Sequence, residues 1–189
     1  LGRIYTVRRE WDRARSYLER CKKLVGAQGE EAGAWRWHLR VFLGFASMYS
    51  RRSMHKEATT YCRRGLDYLK QCERRGVTGE ASAAEIAELR SALLEMLGGL
   101  KLEIGAYCKA MDVFEEALKC ARMSSNGLDE ARALLNIGDI HTRWGGAQAA
   151  LTALRAAMEV AQSVRGDEMG SAELVRVAAL HHVAINRMR

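Results

Sequence analysis

The chain has 189 residues, with 30 Lys plus Arg against 23 Asp plus Glu, 17 glycines and no proline. That length suits one compact domain or one stretch of a repeat array. About nine prolines are usual at this size, and their absence excludes collagen-like, mucin-like and proline-rich linker chains. It also disfavours an all-β sandwich, which needs a turn signal every ten residues or so. Hydrophobic residues make up 48% and charged residues 28%, enough to build a core and to argue against disorder.

No apolar run approaches the roughly 18 residues of a spanning helix, so membrane insertion is not expected. The opening stretch, Leu1-Gly2-Arg3-Ile4-Tyr5, carries neither an initiator Met nor a signal-peptide core, and a fragment of a longer chain is expected. Cys21, Cys62, Cys72, Cys108 and Cys120 are odd in number and widely spaced, with no C-x-x-C. They read as small core or half-buried thiols in a reducing compartment, the cytoplasm, rather than as a disulfide framework or a zinc site. Charge is uneven. Residues 1–75 carry a net +10 and residues 76–189 a net −3, which suggests an acidic partner for the basic half. Of the 30 basic residues 23 are Arg, favouring forked, directional contacts.

In chain order, helical periodicity predicts helices near 1–8, 10–25, 31–51, 54–75, 82–104, 106–123, 128–144, 147–165 and 168–187, with no sustained strand alternation. Gly26 and Gly29 punctuate the first connection, and Gly76 and Gly79 a later one. Ser82-Ala83-Ala84-Glu85 then reads as a capping box. Ser124-Ser125-Asn126-Gly127, Gly145-Gly146 and Gly166-Asp167 mark the remaining breaks. Leu134, Ile137, Gly138 and His141 fall on one face of their helix, and Ala150, Leu154, Ala157, Met158 and Ala161 on one face of the next.

These pairs repeat. Leu94, Leu97-Gly98, Ala110, Phe114 and Ala117 match Leu134, Ile137-Gly138, Ala150, Leu154 and Ala157 at an offset of 40. Phe42, Phe45-Ala46 and Tyr49 lead in the same way to Ala58, Cys62 and Gly65. Leu1-Gly2 and Tyr5 lead to Ala14, Leu18 and Cys21, and Leu174, Val177-Ala178 and His181 open a last, incomplete unit. The small anchors Gly2, Ala46, Gly98, Gly138 and Ala178 are spaced 44, 52, 40 and 40. Small residues at those points let two helix axes approach, because a large side chain there forces them apart. No pair buries its face alone, so stability comes from stacked neighbours.

These residues resemble the tetratricopeptide repeat (TPR), with its Trp-x2-Leu-Gly-x2-Tyr, Ala-x3-Phe and Ala signatures. The closing proline of that motif is missing from every unit, and the period exceeds the usual 34. Units near 40 residues, and the stretch Glu130-Ala131-Arg132-Ala133-Leu134-Leu135-Asn136-Ile137-Gly138-Asp139-Ile140-His141, are similar to those of the Pins-type spindle-orientation adaptors and of rapsyn. The resemblance implies an all-α fold, a right-handed α-solenoid of antiparallel helix pairs. It would be a single array over 1–189 with repeats at roughly 1–26, 31–75, 82–124, 128–165 and a partial 168–189.

Catalytic motifs are absent: no G-x-S-x-G, no H-E-x-x-H, no P-loop and no G-x-G-x-x-G. His181 and His182 point about 100° apart on a helix and suit no single metal. The chain is therefore expected to be no enzyme, with no cofactor, metal or small-molecule substrate. The resemblance implies a protein-interaction scaffold whose first helices line a concave groove. By motif position the lining is Arg3; Arg40, Leu43, Ser47 and Arg51; Glu95, Gly99 and Leu102; Arg132, Leu135, Asn136, Asp139 and Arg143; and Arg176 and His182. The resemblance gives Asn136 or the Asp139 position the ligand's backbone amide, and Asn offers both a donor and an acceptor. Arg40, Arg132, Arg143 and Arg176 could fork onto acidic side chains of a peptide or helical partner, or pair within their own helices, as Arg132 with Asp129.

A second reading is a structural subunit of a larger assembly, such as a cytoskeletal one. Trp11, Trp35 and Trp37 are expected to be exposed and to serve either role. Nucleic-acid binding through Arg8, Arg9, Arg51, Arg52, Arg63 and Arg64 ranks third, because interleaved aromatics and a groove-reading motif are lacking.

Overall fold

The structure is a computed structural model that describes residues 6, 9–27, 33–79, 81–165 and 168–187. Leu1, Gly2, Tyr5, the lining residue Arg3, Arg8 and the breaks at Gly29 and Gly166-Asp167 lie outside the described residues. Among the described residues there are eight helices and no strand: α1 (Trp11–Ala27), α2 (Ala34–Arg51), α3 (His55–Arg74), α4 (Ala83–Glu103), α5 (Tyr107–Met123), α6 (Gly127–Arg143), α7 (Ala147–Ser163) and α8 (Met169–Arg187). Each begins and ends within three residues of the span its periodicity predicts. The chain falls into two compact units, Leu1–Ser82 and Ala83–Arg189. Their junction falls inside the one long anchor spacing, the 52-residue step from Ala46 to Gly98.

Four connections share one three-residue turn. The N–H groups of Met54, Ala106, Asn126 and Gly146 donate to the carbonyls of Tyr49, Lys101, Ala121 and His141, each five residues back, at 2.9–3.0 Å. The middle residues Ser53, Gly105, Ser125 and Gly145 have φ of 58°, 75°, 54° and 75°. This is the Schellman ending, in which a left-handed residue turns the chain and satisfies orphan carbonyls. It reverses each helix without a proline. At one of these turns Asn126 also caps the next helix, its Oδ1 accepting from the Asp129 N–H at 3.0 Å.

In the first unit, Ala14 and Leu18 of α1 pack with Phe45 and Met48 of α2. The Phe45 and Tyr61 rings stack at 4.7 Å, and Tyr49 and Tyr61 at 5.5 Å, bringing α3 into the same core. Burial pushes the Tyr61 phenol above its ordinary range, with the neighbouring Tyr49 adding to it. Ala46, Ala58 and Cys62 are fully buried. Burial pushes the Cys62 thiol up to about 12, so it stays neutral and inert. α1 and α2 approach closely at Gly44, where a Cβ would stand 2.6 Å from Leu18 Cδ2.

The second unit builds two hairpins, α4–α5 and α6–α7, and lays α8 against α7 and α6. A Cβ on Gly98 would stand 2.7 Å from the Phe114 ring, and one on Gly138 would stand 2.7 Å from Leu154 Cδ2. The expected close crossings are thus present, and each glycine is a steric necessity for the large residue 16 positions further on. Phe114 then anchors a cluster with Ala110, Met111, Ile137 and Ile140. A second cluster joins Leu128, Ala131, Ala161, Ala172 and Val175.

Some expectations need correction. Trp35 is 1% exposed, a core residue, whereas Trp37 is 53% exposed and Trp11 half-buried. Trp35 falls four residues before Leu39 and so shares its inward face, and the Arg36 guanidinium covers its ring at 4.8 Å. Cys62, Cys72 and Cys120 are buried, but Cys21 and Cys108 are exposed; all five are free thiols. On α1 the repeat position Cys21 is exposed, and Val25, four residues further on, is buried instead. His141 is half-buried only.

Candidate interaction face

In the second unit the first helices α4, α6 and α8 carry the residues that the repeat positions single out. Glu95, Arg132, Asn136, Asp139, Arg176 and His182 are half-buried and Arg143 is exposed. Gly99 faces open space, since a Cβ there would meet nothing within 4 Å. Leu102 and Leu135 instead pack against the hydrophobic clusters, so their apolar surface belongs to the core.

The arginines are paired along their own helices. Arg132 stands 3.5 Å from Asp129, Arg143 donates from Nε to Asp139 at 2.9 Å, and Arg176 donates to Glu173 at 2.7 Å. Steps of three and four residues bring such side chains together on a helix surface. The bond to Asp139, above all, holds the Arg143 guanidinium more firmly protonated than usual. Arg143 also lies 5.8 Å over the Tyr107 ring. Asp139 is shared between helices, with His182 Nδ1 of α8 at 3.6 Å from its other oxygen. A partner carboxylate reaching Arg132, Arg143 or Arg176 must therefore compete with an existing one. Exposed pairs of this kind are each worth only ~0–1 kcal/mol, so the exchange is inexpensive.

Electrostatics differ at the α4 end. Burial raises the Glu95 carboxyl above the ordinary carboxylate range, with Arg132 opposing the rise and Asp129 adding to it. Burial likewise raises Asp129, against Arg132 and with Glu168 and Glu88 reinforcing. One guanidinium, Arg132, thus serves two half-buried carboxyl groups. Nearby, a cavity of about 460 Å³ opens around Ser124, Asn126, Gly127, Arg165 and Glu168. Asp129, Glu173 and Tyr107 escaped the motif-position reading. The spacings Asp129–Arg132 and Glu173–Arg176 were visible as i,i+3 pairs, but nothing in the sequence marked Tyr107.

The first unit is described by itself. Its expected lining residues Arg40, Ser47 and Arg51 lie on α2, with Arg40 and Arg51 exposed and Ser47 and Leu43 half-buried. The Arg40 guanidinium lies 4.8 Å over the Trp37 ring, an exposed cation–π pair. A smaller cavity of about 220 Å³ is walled by Val25, Val41, Phe42 and Phe45 with Lys22 and Arg64. Among the described residues no group of His, Cys, Asp and Glu is arranged to hold a metal ion, and no helix is long and apolar enough to cross a membrane.

Tight antiparallel hairpins with small residues at the crossings, and polar positions left on the first helices, define a TPR-like helical-repeat protein. The family model of anaphase-promoting complex subunit 5 (ANAPC5) matches residues 41–129 and 129–182. That is most of the chain, which therefore belongs to this family. Among solved structures the fold is similar to the apo form of RapI, with a TM-score of 0.71 and 16% identity over 99% of this chain. The chain spans 66% of RapI's length. No curated protein matches it.

Proposed function

We propose that the chain is a non-catalytic protein-interaction scaffold whose first helices take a peptide or helical segment of a partner protein. The observation that carries this reading is Asn136. It is a half-buried amide on α6, and among the described residues no hydrogen bond engages it. A side chain able to donate and accept at once suits the backbone amide of an extended or helical segment. Arg132, Asp139, Arg143 and Arg176 frame it, while Glu95 and Asp129 supply acidic groups at one end. That mixture favours a mixed-charge segment over a purely acidic one. Arg40, Ser47 and Arg51 are proposed as further contacts on the first unit.

A second reading, a subunit packed within a larger assembly, is favoured by the family, whose name is that of a subunit of the anaphase-promoting complex. The two readings are compatible, since a subunit can also grip a segment of a neighbour. The finer likeness to Pins-type adaptors and rapsyn, a cytoskeletal setting and a cytoplasmic location rest on the sequence resemblance and the five free thiols. Nucleic-acid binding keeps third place.

Affinity capture with mass spectrometry tests the groove. Arg132→Glu with Asn136→Ala is expected to lose the proteins that the unaltered chain captures, with circular dichroism unchanged. Undiminished capture by the double variant would move the contact off this face and leave the subunit reading.

A further inference from the structure

A cavity in the first unit lies where the second unit packs a leucine. About 220 Å³ opens between three helices, walled by Val25 of α1, by Val41, Phe42 and Phe45 of α2 and by Tyr61 of α3. Repeat position gives these residues counterparts in the second unit. Lys22 follows Cys21 as Leu118 follows Ala117, Tyr61 precedes Cys62 as Ala153 precedes Leu154, and Phe45 precedes Ala46 as Ile137 precedes Gly138. Leu118 of α5 and Ala153 of α7 pack against the cluster that contains Ile137. In the first unit an exposed lysine, Lys22, stands at the leucine's position. Its ammonium stays in water rather than entering an apolar hole, and the cavity takes the place of the missing side chain.

Size and charge define what fits there. The volume is below the roughly 300–1,000 Å³ of a site for a drug-sized ligand or cofactor, and it suits one large side chain. The walls are apolar, and leucine is the residue that the second unit packs at this repeat position. The rim is cationic. Lys22 and Arg64 both border the cavity, both are exposed, and among the described residues no carboxylate pairs with either. The Arg64 guanidinium lies 5.8 Å over the Tyr61 ring, which holds it at the mouth. At the Tyr61 phenol Arg64 and Arg15 act against one carboxylate, Glu19, and residues 1–75 carry a net +10. Two such cations beside an apolar hole select a carboxylate-bearing segment and reject a basic one.

We propose that the cavity between α1, α2 and α3 seats one leucine side chain of an acidic segment of a partner protein, with carboxylates on either side of that leucine meeting Lys22 and Arg64. The leucine supplies the apolar burial and the carboxylates supply the selection. Anchoring of this kind concentrates binding energy in one buried side chain. The site belongs to the first unit and does not depend on the groove around Asn136, so failure of either leaves the other standing.

The test titrates the isotope-labelled 189-residue chain with the peptide Glu-Asp-Glu-Leu-Glu-Asp-Glu, followed by amide NMR, which detects weak binding. Saturable shifts are expected at Val41, Phe42 and Tyr61. The peptide with alanine in place of leucine should bind about tenfold more weakly, and the peptide with lysine in place of every acid should not bind. Lys22→Glu with Arg64→Glu, changes at exposed positions, should abolish binding with circular dichroism unchanged, whereas Arg132→Glu with Asn136→Ala should leave it intact. Lys22→Leu restores the residue type that the second unit carries at this position, and it should raise the urea midpoint and lose the peptide. Equal binding of the leucine and alanine peptides, binding that survives the charge reversal or Lys22→Leu, or no binding at all would overturn the proposal. Decanoate shifting the same amides where the acidic peptide does not would assign the cavity to a free fatty carboxylate, against the proposal.

Discussion

The hairpins α2–α3 and α6–α7 reach close helix packing by different means. In α6–α7 the contact is a glycine against a leucine, Gly138 under Leu154, with no room for even a methyl group. In α2–α3 the matching positions are Ala46 and Cys62, both fully buried, and the large-residue work passes to the ring stack of Phe45, Tyr49 and Tyr61. The repeat therefore keeps a small residue on the first helix at the crossing, and the size of its counterpart on the second helix falls when that small residue carries a Cβ. Close packing of interiors requires this, since a void or an overlap of one methylene is felt.

The largest effect is expected where the difference is sharpest. Gly138→Val drives a branched side chain into Leu154 and should destabilise the second unit by about 3 kcal/mol in urea unfolding. Ala46→Gly, which opens space instead, should lose only ~1 kcal/mol from helix propensity and a lost methyl contact. Comparable losses at the two sites would remove the distinction between the hairpins.

A smaller effect separates the units electrostatically. The folded chain raises the Glu95 carboxyl above its unfolded value. The folded state therefore holds the proton more tightly, and this group's contribution to stability is full at acid pH and lost as pH rises through the raised value. Glu95→Gln should leave stability unchanged at low pH and increase it by ~1 kcal/mol at neutral pH. A variant less stable at neutral pH would show that the charge of Glu95 is compensated in the folded protein.

The smallest effect concerns the turns. Ser125 occupies a left-handed conformation, φ 54°, that Gly105 and Gly145 fill without strain. Ser125→Gly should stabilise by about 0.5 kcal/mol and raise the melting temperature by a degree or two. Gly145→Ala should act in the opposite sense.

Much of this architecture is legible in the residues. Gly98 and Gly138 announce their crossings because only a missing side chain admits Phe114 and Leu154, and the 40-residue recurrence places them in register. Ser53 and Ser125 give no such signal, since serine rarely turns a chain left-handed; the five-residue hydrogen bond that holds them there is visible only in three dimensions. Trp35 reads as surface from its neighbours Arg36 and Trp37 until the inward face set by Leu39 and Phe45 is known. The candidate face was legible by position and in part by pairing. Motif register points to Arg132 and Asn136, and the i,i+3 spacings offer Asp129 and Glu173 as partners, whereas the raised carboxyls of Glu95 and Asp129 follow from burial, which no linear pattern encodes.

The direct test of steric complementarity at the crossing is a double-mutant cycle at Gly138 and Leu154, read by urea unfolding. Gly138→Ala and Leu154→Cys should each destabilise the protein, and together they recreate the Ala46–Cys62 pair. The double variant is predicted to be at least ~1 kcal/mol more stable than the sum of the single losses. Additivity within about 0.5 kcal/mol would contradict the account, because the two residues would then not share the space assigned to them.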